Sequence, residues 1–267
     1  DPLFVENLTM SCGTESSCGF VGTVVPSMTG GNSDTQISAR VNGSITGSAD
    51  CTGGIIGRVS ASARLESSSY QGNITGGNGV GGFIGCMSNT INSSFYTYDI
   101  RVNIEESFTD LNKISGVNYV GGFIGEIPNT SSSQTFLDVR RSYVVIDKND
   151  INSGFDLEST GGTYVSGFVG GVDLNTNSRF EIKESYIDTS TAQIPTAYKH
   201  ISRSIAGTID NGSDRLEGIG FVWNASSDVN NYYGVANSSN ISVVALSAYA
   251  LAQGSPSSDS FEASSNG

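Results

Sequence analysis

The side chains able to do chemistry in this chain are few and scattered. The sole histidine is His200, in AYKHIS. A hydrolytic triad built on histidine would have to use it, yet no G-x-S-x-G nucleophile elbow is present. A lone histidine is more often an ordinary surface residue. Polysaccharide lyases and hydrolases use clustered carboxylates, often with Arg or Lys beside them. Asp138, Arg140, Arg141, Asp147 and Lys148 form one such cluster in the sequence. On a strand, Asp138, Arg140 and Ser142 share a face. Only 15% of residues are charged, however, so a solvated, ion-paired strand is the preferred expectation. The stretch DKNDINSGFDLE (147–158) has oxygen ligands at the first and third places of an EF-hand-like loop and Glu158 at the twelfth. Asn152 stands where that loop needs glycine, and no flanking helices are evident. GGNGVGG (76–82) leads into a strand, so it lacks the helix N-terminus that a bound phosphate needs. We expect no catalytic residues, no metal and no cofactor; the residues point away from an enzyme.

Cysteines and asparagines carry the remaining chemistry. Cys12, Cys18, Cys51 and Cys86 lie in the first third of the chain, with no C-x-x-C spacing to suggest zinc. Two disulfides are the better reading, and they imply an oxidising, extracellular or cell-surface location. Three pairings are possible. The short loop C-GTESS-C favours Cys12–Cys18, which leaves Cys51–Cys86. N-glycosylation sequons occur at Asn7, Asn42, Asn73, Asn92, Asn129, Asn211, Asn224, Asn237 and Asn240. Several follow the repeat elements described below, at turns where glycans would be exposed, so covalent glycans are expected.

Thirteen basic against 26 acidic residues give a net charge of −13. This argues against nucleic acid or an anionic membrane as partner, because both need a basic surface. No apolar run approaches the ~20 residues of a membrane-spanning helix. The longest, SVVALSAYALA (242–252), is short and broken by serines.

The elements that would position these groups are repeats. CGFVG (18–22), GGIIG (53–57), GGFIG (81–85 and 121–125) and SGFVG (166–170) are copies of one block, with IGFVW (219–223) as a decayed sixth. A second block alternates with it: SSYQGNI (68–74), ESFTDLN (106–112), RSYVVID (141–147), ESYIDTS (184–190) and NYYGVAN (231–237). SIAGTI (204–209) fits neither cleanly. Each glycine is locally unfavourable in a helix or a strand. A weak motif that recurs must draw its stability from neighbouring copies. Variable spacing with constant elements favours a stack of turns over a propeller. Period-two alternation of β-branched and aromatic residues, punctuated by N-G and G-G, makes it a β stack.

The Gly-apolar-apolar-Gly core followed by Ser-aromatic resembles the GLUG repeat of secreted and cell-surface proteins. The matching residues are Gly54–Gly57, Gly82–Gly85, Gly122–Gly125 and Gly167–Gly170, followed by Ser69-Tyr70, Ser107-Phe108, Ser142-Tyr143 and Ser185-Tyr186. Phe or Ile stands where that pattern has Leu, and the spacings are longer. The resemblance implies an extracellular repeat module and no reaction.

The expected fold is therefore all-β: a β-solenoid, or β-helix, of about six irregular rungs with variable loops. Residues 1–17 would be an N-terminal arm or cap, 18–240 the repeat solenoid, and 241–267 an apolar segment with a Ser-rich tail. Stacking would align Phe20, Ile55, Phe83, Phe123, Phe168 and Phe221 in one buried ladder. Tyr70, Phe108, Tyr143, Tyr186 and Tyr233 would form another. Alternation would send Phe83 and Ile84 to opposite faces. The function this implies is a glycosylated, extracellular structural or adhesive protein that self-assembles into a homo-oligomer, filament or surface layer. The alternative is a carbohydrate-binding or polysaccharide-degrading β-helix, which would need exposed aromatics or paired carboxylates.

Overall fold

The computed structural model describes residues 2–14, 17–25, 34–88, 99–128, 134–147, 154–161, 164–173, 179–183, 185–188, 209–210, 215–222 and 241–245. Among these there is no helix, and the strands pair in parallel. The chain first lays down β1 (Leu3–Cys12), β2 (Val21–Val24) and β3 (Thr35–Ile37). It then returns beside them with β4 (Ala39–Gly47), β5 (Thr52–Gly53), β6 (Ile56–Val59) and β7 (Ala63–Glu66). The same order follows in β8 (Ser69–Thr75), β9 (Asn78–Gly81), β10 (Ile84–Met87) and β11 (Ile100–Glu105). It recurs in β12 (Phe108–Gly116), β13 (Asn118–Gly121), β14 (Ile124–Ile127) and β15 (Thr135–Arg140). The next pass splits its first strand into β16 (Tyr143–Ile146) and β17 (Leu157–Ser159), then adds β18 (Val165–Ser166), β19 (Val169–Asp173) and β20 (Arg179–Lys183). Last come β21 (Tyr186–Asp188), β22 (Ile209–Asp210), β23 (Arg215–Val222) and β24 (Ile241–Ala245).

Equivalent strands lie side by side, as in a β-helix-like fold. β1, β4, β8, β12, β16 and β21 form one run, and β3, β7, β11, β15 and β20 another. β23 bridges the two runs. A second sheet holds β2, β6, β10, β14, β19 and β22; a third holds β5, β9, β13 and β18. Alternation decides what is buried. In β11 the residues Ile100, Val102 and Ile104 are buried while Arg101 and Asn103 are exposed. The inward columns form one continuous apolar core.

The glycine block answers to packing between neighbouring copies. Val21, Ile56, Ile84, Ile124 and Val169 share one register. The preceding residues Phe20, Ile55, Phe83, Phe123 and Phe168 are therefore equivalent. The Phe83 and Phe123 rings stack at 4.7 Å and the Phe123 and Phe168 rings at 4.9 Å, all three fully buried. Gly82 must be glycine, because a Cβ there would stand 2.0 Å from the Gly122 carbonyl oxygen. At Gly122 the same atom would stand 2.2 Å from that of Gly167. The chain bends at Gly82-Phe83. Phe83 and Ile84 are consequently both buried, and not sent to opposite faces as straight-strand alternation predicts.

A second column fixes the other corner. Ser67, Glu106 and Arg141 have left-handed φ values of 50°, 50° and 46°. Each precedes a buried serine. The Ser68 N–H donates to Ser107 Oγ (3.2 Å), the Ser107 N–H to Ser142 Oγ (3.3 Å) and the Ser142 N–H to Ser185 Oγ (3.2 Å). The Oγ atoms of Ser68, Ser107 and Ser142 donate in turn to the carbonyls of Glu66, Glu105 and Arg140. Every polar group at this buried corner is thereby satisfied along the stack.

Two expectations need correction. Phe221 is not in the Phe83 column: it pairs with Ile187, because β23 continues the runs of β20 and β21. The place after β19 in the second sheet goes to Ile209–Asp210, the end of the SIAGTI segment. Tyr70 is not level with Phe108; Ser69 is, and Tyr70 pairs with Thr109. The serine hydrogen bonds set that register, and the extra serine in SSSY pushes Tyr70 one residue inward, where it is fully buried. Residues 3–12 form β1, which pairs with β4 on both sides of an irregularity between Val5 and Leu8. Tyr233 lies outside the described residues.

Candidate functional site

Of the charged residues singled out in the sequence, Asp138, Arg140 and Arg141 converge on the outer face of β7, β11 and β15. Register sets Arg64, Asn103 and Asp138 in one row and Glu66, Glu105 and Arg140 in the next. Arg64, Asn103, Glu105, Asp138 and Arg140 line a depression. Arg140 donates to Asp138 through Nε (2.9 Å) and Nη2 (2.7 Å). Arg141 pairs with Glu105 and, at 3.3 Å, with Glu106. Arg64 lies 3.3 Å from Glu66 and 3.9 Å from Glu105. Each of these carboxylates already faces a guanidinium at a partly exposed position. This is the pattern of an ion-paired, solvated sheet face, and such pairs contribute little each. Arg64, Glu66 and Glu105 belong to the constellation but lie 33 to 77 residues upstream of Asp138 and Arg141, so only the pairing register reveals them.

Asp147 lies away from this face. Its backbone N–H donates to the Leu111 carbonyl; burial, and then the Asp147 carboxylate, raise the pKa of Asp110, which accepts a hydrogen bond from Gln71 (3.2 Å) that works against the rise. Lys148 and His200 lie outside the described residues. So does the middle of 147–158; at its far end Asp156 is buried and Glu158 is half-buried.

An outer aromatic column runs beside the serine corner. Phe108 and Tyr143 stack at 4.8 Å with planes 3° apart, and Tyr143 and Tyr186 at 4.9 Å with planes 4° apart. The rings are only half-buried. A sugar ring stacks on an aromatic face, and here the faces between members are taken by the neighbouring rings. Solvent meets mainly ring edges, which weakens the carbohydrate-platform alternative. Burial raises the Tyr143 and Tyr186 hydroxyl pKa values, aided by Asp110 at Tyr143 and by Tyr143 and Asp188 at Tyr186.

Disulfides join Cys12 to Cys18 and Cys51 to Cys86. Arg58 packs its guanidinium on the second bridge, with Nη2 3.0 Å and Nε 3.3 Å from Cys51 Sγ. The register places Arg58, Cys86 and Glu126 in one row. Burial, then Asp50, raises the Glu126 pKa, and Arg58 works against the rise. The two bridges are weakly consistent with an extracellular location.

Of the nine sequons, Asn7 and Asn42 are exposed on β1 and β4. Asn73 is half-buried, donates through Nδ2 to Ser44 Oγ (3.4 Å), and leaves its Oδ1 buried without a hydrogen-bond partner. Asn92, Asn129, Asn211, Asn224, Asn237 and Asn240 lie outside the described residues. No helix among the described residues is long and apolar enough to cross a membrane. No family model, curated protein or solved structure matches the chain.

Proposed function

We propose that this chain is a glycosylated extracellular module with a structural or adhesive role, built as a β-solenoid of about six rungs, which assembles with copies of itself. The observation that carries the reading is the unbroken Phe83–Phe123–Phe168 column, whose residues serve stacking between successive passes of the chain. The recurring residues of both blocks go to interlayer contacts: rings, serine hydroxyls and glycines under neighbouring carbonyls. The charged residues that resemble a hydrolase site are engaged with one another. Two disulfides suit secretion, and the resemblance to the GLUG repeat points to the same compartment.

The test is secretion of the full chain from a glycosylating host, with glycan mapping, light scattering and negative-stain imaging. The expected result is elongated particles that associate with rising concentration. Asn42 is expected to carry sugar, and Asn73, with its amide folded into the wall, to carry little. Compact monomers that cleave polysaccharide would overturn the proposal.

A further inference from the structure

We infer that the N-terminal face of the stack is a docking surface for the C-terminal face of a second copy of this chain, with β1 of one copy pairing in parallel with β24 of the next. The inference rests on the self-assembly reading above and gives it a surface and a register.

The first observation is an open core. Seven hydrophobics are packed against the core yet only partly buried: Val5, Leu8, Met10, Cys12, Phe20, Val21 and Ile37. All belong to the first layer. Their equivalents one layer down are closed: Val41 under Val5 is 2% exposed, Ile45 under Met10 is 0%, and Leu65 under Ile37 is 0%. Leu3, Phe4 and Val25 in the same layer are 56%, 64% and 55% exposed. Among the described residues nothing covers this apolar cross-section, which is rimmed by strand edges. Among the described residues β1 pairs only with β4, β2 only with β6 and β3 only with β7. Such edges template the addition of a further strand.

The second observation selects the occupant. The row that begins at Phe4 passes through Phe108 and Tyr186 and ends at Val244. The neighbouring row begins at Val5 and ends at Ala245. β24 therefore runs in the direction of β1 and carries these two rows, while the rows from Leu8 to Cys12 end at β17 or earlier. Translating one copy along the stack continues the two shared rows at the usual ~4.8 Å spacing and sets Phe4 beside Val244 of its neighbour. The contact is heterologous, so it propagates into a filament unless a rotation closes it into a ring. The net charge of −13 opposes association, so added salt should strengthen it.

The experiment uses the full, disulfide-bonded chain. Phe4→Cys and Val244→Cys variants are prepared separately, mixed and mildly oxidised. A covalent dimer from the mixture, absent with either variant alone, is the expected result. In parallel, Phe4→Glu, whose carboxylate can meet Arg40 and so leave β1 seated, is combined with Val25→Glu. It should raise the dissociation constant of association at least about tenfold while leaving the melting curve in place. If the parent associates but the mixed cross-link fails and the glutamates have no effect, the end-to-end surface is wrong and the self-assembly reading survives. If the parent stays monomeric at all concentrations and salt levels, both fall. A cross-link to a different protein, or to a preceding segment of a longer chain, also overturns the inference.

Discussion

Replacing Phe123 tests the physical basis of the fold. Its ring is fully buried, lies 4.7 Å from Phe83 on one side and 4.9 Å from Phe168 on the other, and sits in the middle of the column. Phe123→Ala removes its buried area, leaves a cavity between two rings held by their own strands, and ends both stacks. Core Phe→Ala changes cost about 3–5 kcal/mol. The rigid ladders above and below limit collapse of the cavity, which places the loss near the top of that range. At about 2–4 °C per kcal/mol for a domain of this size, a loss of about 5 kcal/mol lowers the melting temperature by about 10–20 °C. Phe123→Leu separates the contributions: burial is largely kept and both stacks are lost, at about 0.5–1.5 kcal/mol each. Phe136→Ala is the control. That ring is half-buried on an outer face under the Arg101 guanidinium, 4.1 Å away, and its loss should cost about 1 kcal/mol. Urea and thermal unfolding by circular dichroism, with disulfides intact, give all three values. A Phe123→Ala cost no larger than that of Phe136→Ala would refute the claim that the column holds the turns together.

Three further outcomes follow from other contacts. Ser107→Ala strips the acceptor from the buried Ser68 N–H and one of two donors from the Glu105 carbonyl, which keeps the Ser67 N–H; a loss of about 1–3 kcal/mol in urea unfolding is expected, with faster hydrogen exchange at the Ser68 amide. Replacing Cys51 and Cys86 together by alanine opens a 35-residue loop, against six residues for Cys12 and Cys18; loop entropy puts the losses at about 4 and 2 kcal/mol, and equal losses in calorimetry would contradict this. Glu126 has a folded pKa raised above the ordinary 4.5 by burial and then Asp50. Its contribution to stability is therefore complete below pH 4.5 and lost as pH rises through the folded value. Glu126→Gln should flatten that part of the stability–pH curve, and an unchanged slope would exclude Glu126 as its source.

The parts of this fold that sequence reveals are those enforced by sterics alone. A glycine beneath a neighbouring carbonyl admits no substitute, so Gly82 and Gly122 repeat visibly, and the phenylalanines after them fall into line. Alternation likewise puts Asp138 and Arg140 on one face. What sequence hides is register between distant strands. Arg64 and Glu105 join those residues only because β7, β11 and β15 pair as they do, and nothing local in any one strand encodes that pairing. The misplacement of Tyr70 shows which interaction decides it. Aromatic residues in the second block are the more conspicuous signal, but an aromatic ring tolerates either side of the wall: Tyr70 is buried within it, and Phe108 lies half-buried outside. A buried serine does not have that freedom. Shifting Ser68 by one residue would strand its hydroxyl and the N–H groups it serves, each at a cost of about 1–3 kcal/mol, whereas moving a ring from one apolar surface to another costs less. The register therefore follows the serines and the rings adapt. The same reasoning explains IGFVW: it keeps the glycine before Phe221, but Trp223 stands where Gly85 and Gly125 leave only 2.5 Å between a Cβ and a neighbouring carbonyl oxygen, so the segment does not fit the phenylalanine column and β23 takes the pairing with β21 instead.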